Sequence, residues 1–203
     1  MKVFALRIDE SFPENILLPK AHKKRTSMGK LLLNYVLKEY YQLPSNMLSF
    51  KKGIYGKPFL QDYNIHFNIS HSGNMVICAV DYHEIGIDVE RVAPRKLDTL
   101  ISLFSDNEQK YLKEMSSKDQ LNGFYKIWTR KESYIKALGV SLNKDILKSI
   151  DTIDDKNSAF DLKGLSFKTF KLYGEYIISI CSKQSDFKLE NLIVLQEKLL
   201  LKM

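Results

Sequence analysis

Two spacings of apolar residues alternate along the chain. From Val3 to Ile8, Phe4, Leu6 and Ile8 fall on one side, the period of a strand. From Arg25 to Tyr41, Leu32, Leu33, Val36, Leu37 and Tyr40 recur at helical spacing, and Pro44 lies just beyond the predicted end. "GIYGKPFL" (Gly53 to Leu60) carries two glycines and a proline and reads as a loop. Three strand-like segments follow, Ile65 to Ile69, Met75 to Val80 and Ile85 to Val89. Pro94 then breaks the pattern, which divides the chain into an expected N-terminal half, 1–92, and a C-terminal half, 93–203.

The second half opens with helices. "SDNE" (Ser105 to Glu108) fits a capping box, and so does "SKDQ" (Ser117 to Gln120), which starts a long helix ended by Gly139. The tail is strand-rich: Leu165 to Leu172, Tyr176 to Cys181 and Leu192 to Leu195. "NMVICAV" and "YIISICS" share a texture, as related halves would. Strands and helices mixed in this way predict an α+β protein.

With 203 residues, 44% of them hydrophobic, the chain suits one large domain or two small halves with a real core. A net charge of +7 points to acidic partners. A nucleic-acid binder would cluster its cations among exposed aromatics, whereas these lysines are spread and the aromatics fall on core stripes. Cys78 and Cys181 stand among apolar residues at strand spacing and read as buried thiols. "MKVFALRIDE" is too short and charged for a signal peptide, and no apolar run reaches membrane-spanning length. A cytoplasmic protein without a membrane partner is the expectation.

Chemistry enters with "IGIDVE" (Ile85 to Glu90). Ile85, Ile87 and Val89 form its apolar side, which leaves Asp88 and Glu90 together on the other. Two like charges on one strand face repel unless something positive lies between them. In "FYKIWTRKESYIKALG" (Phe124 to Gly139), the apolar stripe includes Phe124, Ile127, Trp128, Ile135 and Leu138. Glu132 projects from the flank of that stripe, where a bare carboxylate is costly. Spacing alone also allows a plain i,i+4 pair with Lys136. Three such acids match the oxygen donors that Mg²⁺ takes. "FNISHSG" (Phe67 to Gly73) ends a strand with Ser70 and His71, either surface residues or donors to a phosphate. Zinc-like His/Cys spacing and a Walker-type loop are both missing from the sequence.

"IGIDVE" followed by "WTRKESYIKALG" resembles the two signature motifs of the 4′-phosphopantetheinyl transferases, G-I-D with a following acid and W-x-x-K-E-[SA]-x-x-K. "KRTSMGKLLL", "GKPFL" and "FNISHSG" resemble further family motifs, in the family's order. The length is similar to the surfactin-synthetase-activating type, a monomer of two similar α/β halves in a pseudo-twofold fold. The resemblance implies transfer of phosphopantetheine from coenzyme A to a serine of an acidic acyl, peptidyl or polyketide carrier protein, with release of adenosine 3′,5′-bisphosphate. It implies that Asp88, Glu90 and Glu132 hold Mg²⁺ (or Mn²⁺), and that Glu132 helps deprotonate the serine. Lys136, with Lys131 nearby, would bind the pyrophosphate. Arg25, Thr26, Ser70 and His71 would hold the 3′-phosphate and its surroundings, and Lys57 and Pro58 would line the adenine pocket. The segment before Arg25 is shorter than in the family's larger members, so Lys20, Lys23 or Lys24 of "PKAHKKR" would supply basic charge there. Leu100, Leu103 and Phe104, with Lys110 and Lys113 nearby, read either as core or as a carrier-docking surface.

Overall fold

The expected strands and helices assemble into four layers, helix–sheet–sheet–helix. A computed structural model describes residues 1–8, 21–153, 159–183 and 191–196. Along the chain these form β1 (Lys2–Arg7), α1 (Ala21–Tyr41), β2 (Phe50–Lys52), β3 (Pro58–Leu60), β4 (His66–Ser72), β5 (Met75–Asp81) and β6 (Ile85–Arg91). Then come α2 (Asp98–Ile101), α3 (Asp106–Lys113), α4 (Ser117–Leu138), α5 (Lys144–Ser149), β7 (Ala159–Leu162), β8 (Leu165–Leu172), β9 (Tyr176–Ser182) and β10 (Leu192–Leu195).

One sheet runs β10-β1-β5-β4 and the other β6-β9-β8-β7. Phe4, Leu6, Val76, Cys78 and Val80 point from the first sheet to α1, where Met28, Leu32, Leu33, Val36 and Leu37 meet them. Val3, Ala5, Met75, Ile77 and Ala79 point the other way, onto Ile85, Ile87, Val89, Tyr176, Ile178 and Ile180 of the second sheet. Its far face is covered by α4 through Phe124, Ile127, Tyr134 and Ile135. The central strands β5 and β9 are therefore buried on both faces, which explains their unbroken apolar runs. Both cysteines are buried and free, as expected.

The related texture of the halves has a topological counterpart. In the first sheet β5 lies between β1 and β4, antiparallel to both, with α1 between β1 and β4 in the chain. In the second sheet β9 lies between β6 and β8, antiparallel to both, with α4 between β6 and β8 in the chain. The chain changes sheet at Tyr82–Glu84, ahead of Pro94. Ile85–Arg91, which the division at 92/93 assigned to the first half, bonds its backbone to β9, and β10 returns to pair in parallel with β1.

Three local expectations are corrected. "GIYGKPFL" is not all loop: β2 and β3 form a hairpin, closed by Gly56 at φ +84°. Strands this short show no alternation, and proline is tolerated as a strand's first residue. The cap of α4 is Ser116 rather than Ser117, accepting from the Asp119 amide at 3.3 Å. Strand β7 was not expected. The Ser105–Glu108 capping box and the left-handed Gly139 (φ +65°) end their helices as predicted. Phe104 is fully buried, so the core reading holds for it, while Leu100 and Leu103 are partly buried against core clusters. Among the described residues no helix is long and apolar enough to cross a membrane.

Layer four lies unusually close to layer three. A Cβ built at Gly86 would lie 1.9 Å from the Ser133 carbonyl oxygen and 2.4 Å from the Ala137 amide nitrogen. Both obstacles are backbone, so they cannot swing aside. Gly86→Ala is expected to destabilise the protein by about 3 kcal/mol through overpacking, read as a lower urea midpoint. An unchanged midpoint would contradict the close contact.

Candidate active site

Strands β4 and β6 are edge strands of different sheets, and they face each other without a backbone ladder. Alternate side chains of β4 take its place. Asn68 Oδ1 accepts from the Ile87 amide at 2.8 Å, Ser70 Oγ from Val89 at 3.4 Å and Ser72 Oγ from Arg91 at 3.1 Å. The same hydroxyls hold the acids: Ser70 donates to Asp88 Oδ1 at 2.8 Å and Ser72 to Glu90 Oε2 at 2.7 Å.

Helix α4 supplies the third side of the site. Lys136 Nζ does not form the i,i+4 pair with Glu132. It reaches across to Asp88 Oδ1 at 2.6 Å and to Ser70 Oγ at 3.1 Å. Asp88 is 4% exposed, and its second oxygen, Oδ2, is buried without a hydrogen-bond partner. Burial lowers the Lys136 pKa, but Asp88, then Glu132 and Glu90, outweigh it and hold the ammonium above its ordinary value. Burial raises the Glu132 carboxyl, with Asp88 and Glu90 pushing the same way against Lys136. Burial also raises Glu90, helped by Asp88 and opposed by the Ser72 hydrogen bond, Lys136 and Arg95.

This donor set suits a hard divalent cation: three carboxylates that repel one another, one with a buried oxygen left unpartnered. Among the described residues, however, no three acid, histidine or cysteine side chains are gathered closely enough to form a ready metal group. Lys136 pairs with Oδ1 of Asp88.

Other expected site residues are dispersed. Lys131 does not join the acids. It is about 100° round the helix from Glu132, 0% exposed, and bonded to the equally buried Glu108 at 2.7 Å. Its ammonium also donates to the Leu147 carbonyl at 2.6 Å and to that of Ile150. Burial pushes its pKa down, with Glu108 opposing. Thr152 bonds the other Glu108 oxygen through its amide and hydroxyl, each at 2.9 Å. Lys131 is thus an internal brace of α4. Ser70, expected at a phosphate, has its single proton committed to Asp88. By strand alternation His71 projects from the other face of β4, the one whose Phe67 and Ile69 pack with α1.

Arg25, in α1, donates from Nη1 to the Gly73 carbonyl at 3.1 Å, while its Nε is buried with no hydrogen-bond partner. That bond draws the start of α1, with Thr26, towards the turn that follows His71. Lys57 Nζ donates to the Ile85 and Ala137 carbonyls, 3.0 Å each, so it ties the hairpin to β6 and to the last turn of α4. Burial lowers its pKa, against Glu84 and Cys181. Pro58 is exposed beside it. Pro19 and Lys20 lie outside the described residues, as do the side chains of Lys23 and Lys24. Sequence reasoning missed Asn68 and Ser72 as seam residues. Their signal was the period-two run Asn68, Ser70, Ser72, small polar residues on one strand face.

A carboxyl whose pKa is raised by folding contributes stability below its unfolded pKa and loses it as pH rises through the folded one. Glu132→Gln is therefore expected to raise the melting temperature of the ligand-free protein at pH 8, with a gain that fades as pH falls towards 4.5, the ordinary value. Differential scanning calorimetry across that range checks this; a loss at pH 8 would contradict it.

Two family models match the chain in tandem. Residues 18–83 match "4′-phosphopantetheinyl transferase, N-terminal", and residues 84–181 match "4′-phosphopantetheinyl transferase superfamily". The junction falls where the chain changes sheet. The 4′-phosphopantetheinyl transferase Sfp of Bacillus subtilis is 34% identical over 193 residues, 89% of this chain and 84% of that protein. The 4′-phosphopantetheinyl transferase gsp of Aneurinibacillus migulanus is 41% identical over 115 residues, 57% of this chain and 48% of that protein. A human relative, L-aminoadipate-semialdehyde dehydrogenase-phosphopantetheinyl transferase, is 27% identical over 167 residues, 75% of this chain and 51% of that protein. On these matches the chain belongs to the 4′-phosphopantetheinyl transferase superfamily.

Proposed function

We propose that the protein moves the 4′-phosphopantetheine arm of coenzyme A to a serine hydroxyl of an apo carrier protein, acyl, peptidyl or polyketide. A serine oxygen–phosphorus bond forms, the bond from that phosphorus to the bridging oxygen breaks, and adenosine 3′,5′-bisphosphate leaves. The observation that carries this reading is Asp88, with one buried oxygen on Lys136 and the other unpartnered beside two acids of raised pKa.

Asp88, Glu90 and Glu132 would hold Mg²⁺, or Mn²⁺ in its place. When bound, the cation supplies charge stabilisation on the pyrophosphate and its leaving oxygen. Lys136, 28% exposed and held protonated by its acidic neighbours, faces the same charge. Glu132 has the properties of a base for the serine proton: its raised pKa brings proton affinity nearer to working pH. Arg25, Thr26 and His71 are proposed at the 3′-phosphate, and Lys57 and Pro58 beside the adenine. Seam, acids and lysine come from a single chain, so a monomer suffices. Exposed Lys110 and Lys113 on α3 suit an acidic carrier. With coenzyme A as donor, the cytoplasm is the proposed compartment.

Apo carriers of the fatty-acid, polyketide and peptide-synthetase classes, each incubated with coenzyme A, Mg²⁺ and this protein, are expected to show at least one carrier gaining one phosphopantetheine by mass spectrometry. Asp88→Ala is expected to slow that gain at least about 10²-fold with an unchanged circular dichroism spectrum. No gain on any carrier, or full activity of the variant, would contradict the reading.

A further inference from the structure

Ser72 has no part in the chemistry proposed above, yet its hydroxyl both donates and accepts. It ends β4, half-buried, accepting from the Arg91 amide at 3.1 Å and donating to Glu90 Oε2 at 2.7 Å. A hydroxyl has one proton and two lone pairs. The amide of Arg91 occupies one lone pair and so helps aim the proton at Glu90.

We infer that Ser72 is a positioning residue for the acid cluster, fixing the Glu90 carboxylate against the seam so that it stays beside Asp88. The inference rests on the proposed reading of Asp88, Glu90 and Glu132 as cation-holding. Left to itself, Glu90 would turn away from Asp88: it is partly buried, repelled by that acid, and carries a flexible side chain. The Ser72 hydrogen bond opposes this directly. Side chains that orient metal ligands act in the same way elsewhere, and their loss costs about 10–100-fold in metal affinity.

A merely structural role can be separated, because the seam contains its own control. Asn68 makes the same kind of stitch, to the Ile87 amide at 2.8 Å. Among the described residues it makes no hydrogen bond to an acid, so Asn68→Ala removes a stitch without loosening Glu90. Binding rather than turnover is the readout: Mn²⁺ titrated into the full chain with coenzyme A present, followed by electron paramagnetic resonance. Ser72→Ala is expected to weaken Mn²⁺ about tenfold while leaving the affinity for coenzyme A without metal unchanged. Ser72→Thr, which keeps the hydroxyl, is expected to restore binding. Asn68→Ala is expected to lower the melting temperature but hold Mn²⁺ as the wild type does. Undiminished Mn²⁺ affinity in Ser72→Ala, or an equal loss in Asn68→Ala, would overturn the positioning role alone. A wild type that binds no Mn²⁺ would overturn the cation reading and this inference with it.

Discussion

Helix α4 can lie on β6 only because residue 86 has no side chain. Backbone of the helix fills the space where a Cβ would stand, and the geometry of the site follows from that contact. Ser133, facing the strand, is small and buried, with its hydroxyl satisfied by the Arg130 carbonyl at 2.8 Å. Glu132 and Lys136 then fall on the flank beside Asp88 and Glu90, and Lys131 turns into the core. The buried pair of Lys131 with Glu108 fixes the roll of the helix. Breaking such a pair costs about 3–5 kcal/mol. Lys57 clamps the other end. A helix held this firmly keeps Glu132 and Lys136 on the side of Asp88 and Glu90 despite the repulsion among the acids.

The two sheets meet along an interface of mixed character. Its apolar part, from Val3 to Ile180 across both sheets, supplies the stabilisation, since each buried aliphatic side chain is worth about 1.5–3 kcal/mol. Its polar part, Asn68, Ser70 and Ser72, contributes about 0.5–1.5 kcal/mol per hydrogen bond but sets the register. Unpaired edge strands invite association with other chains. Here the amides of Ile87, Val89 and Arg91 are capped by side chains, and the capping hydroxyls double as supports for the acids. Sequence thus reaches function through packing first and hydrogen bonding second.

Much of this was legible in the sequence. The period of the apolar residues located most of the strands and helices, and the capping box and Gly139 marked helix ends because their chemistry is local. The acids were legible because charge on an otherwise apolar strand or helix flank demands a partner. The roles of Lys131 and Ser70 were not. Adjacent residues on a helix point in different directions, and which direction faces the site depends on how α4 packs. Ser70 looked like a phosphate donor until β6 was seen beside it. Likewise the pairing of β6 with β9 joins residues distant in sequence and leaves no local mark.

The proposed cation site of Asp88, Glu90 and Glu132 depends on the packing of α4 onto β6. Anomalous diffraction from crystals grown with Mn²⁺ and coenzyme A tests it most directly. A single peak is expected, bonded to Asp88 through the oxygen now unpartnered, with Glu132 and Glu90 around it and Lys136 nearby on the pyrophosphate. Coenzyme A bound with Mn²⁺ elsewhere, and Asp88 still paired only with Lys136 and Ser70, would contradict it.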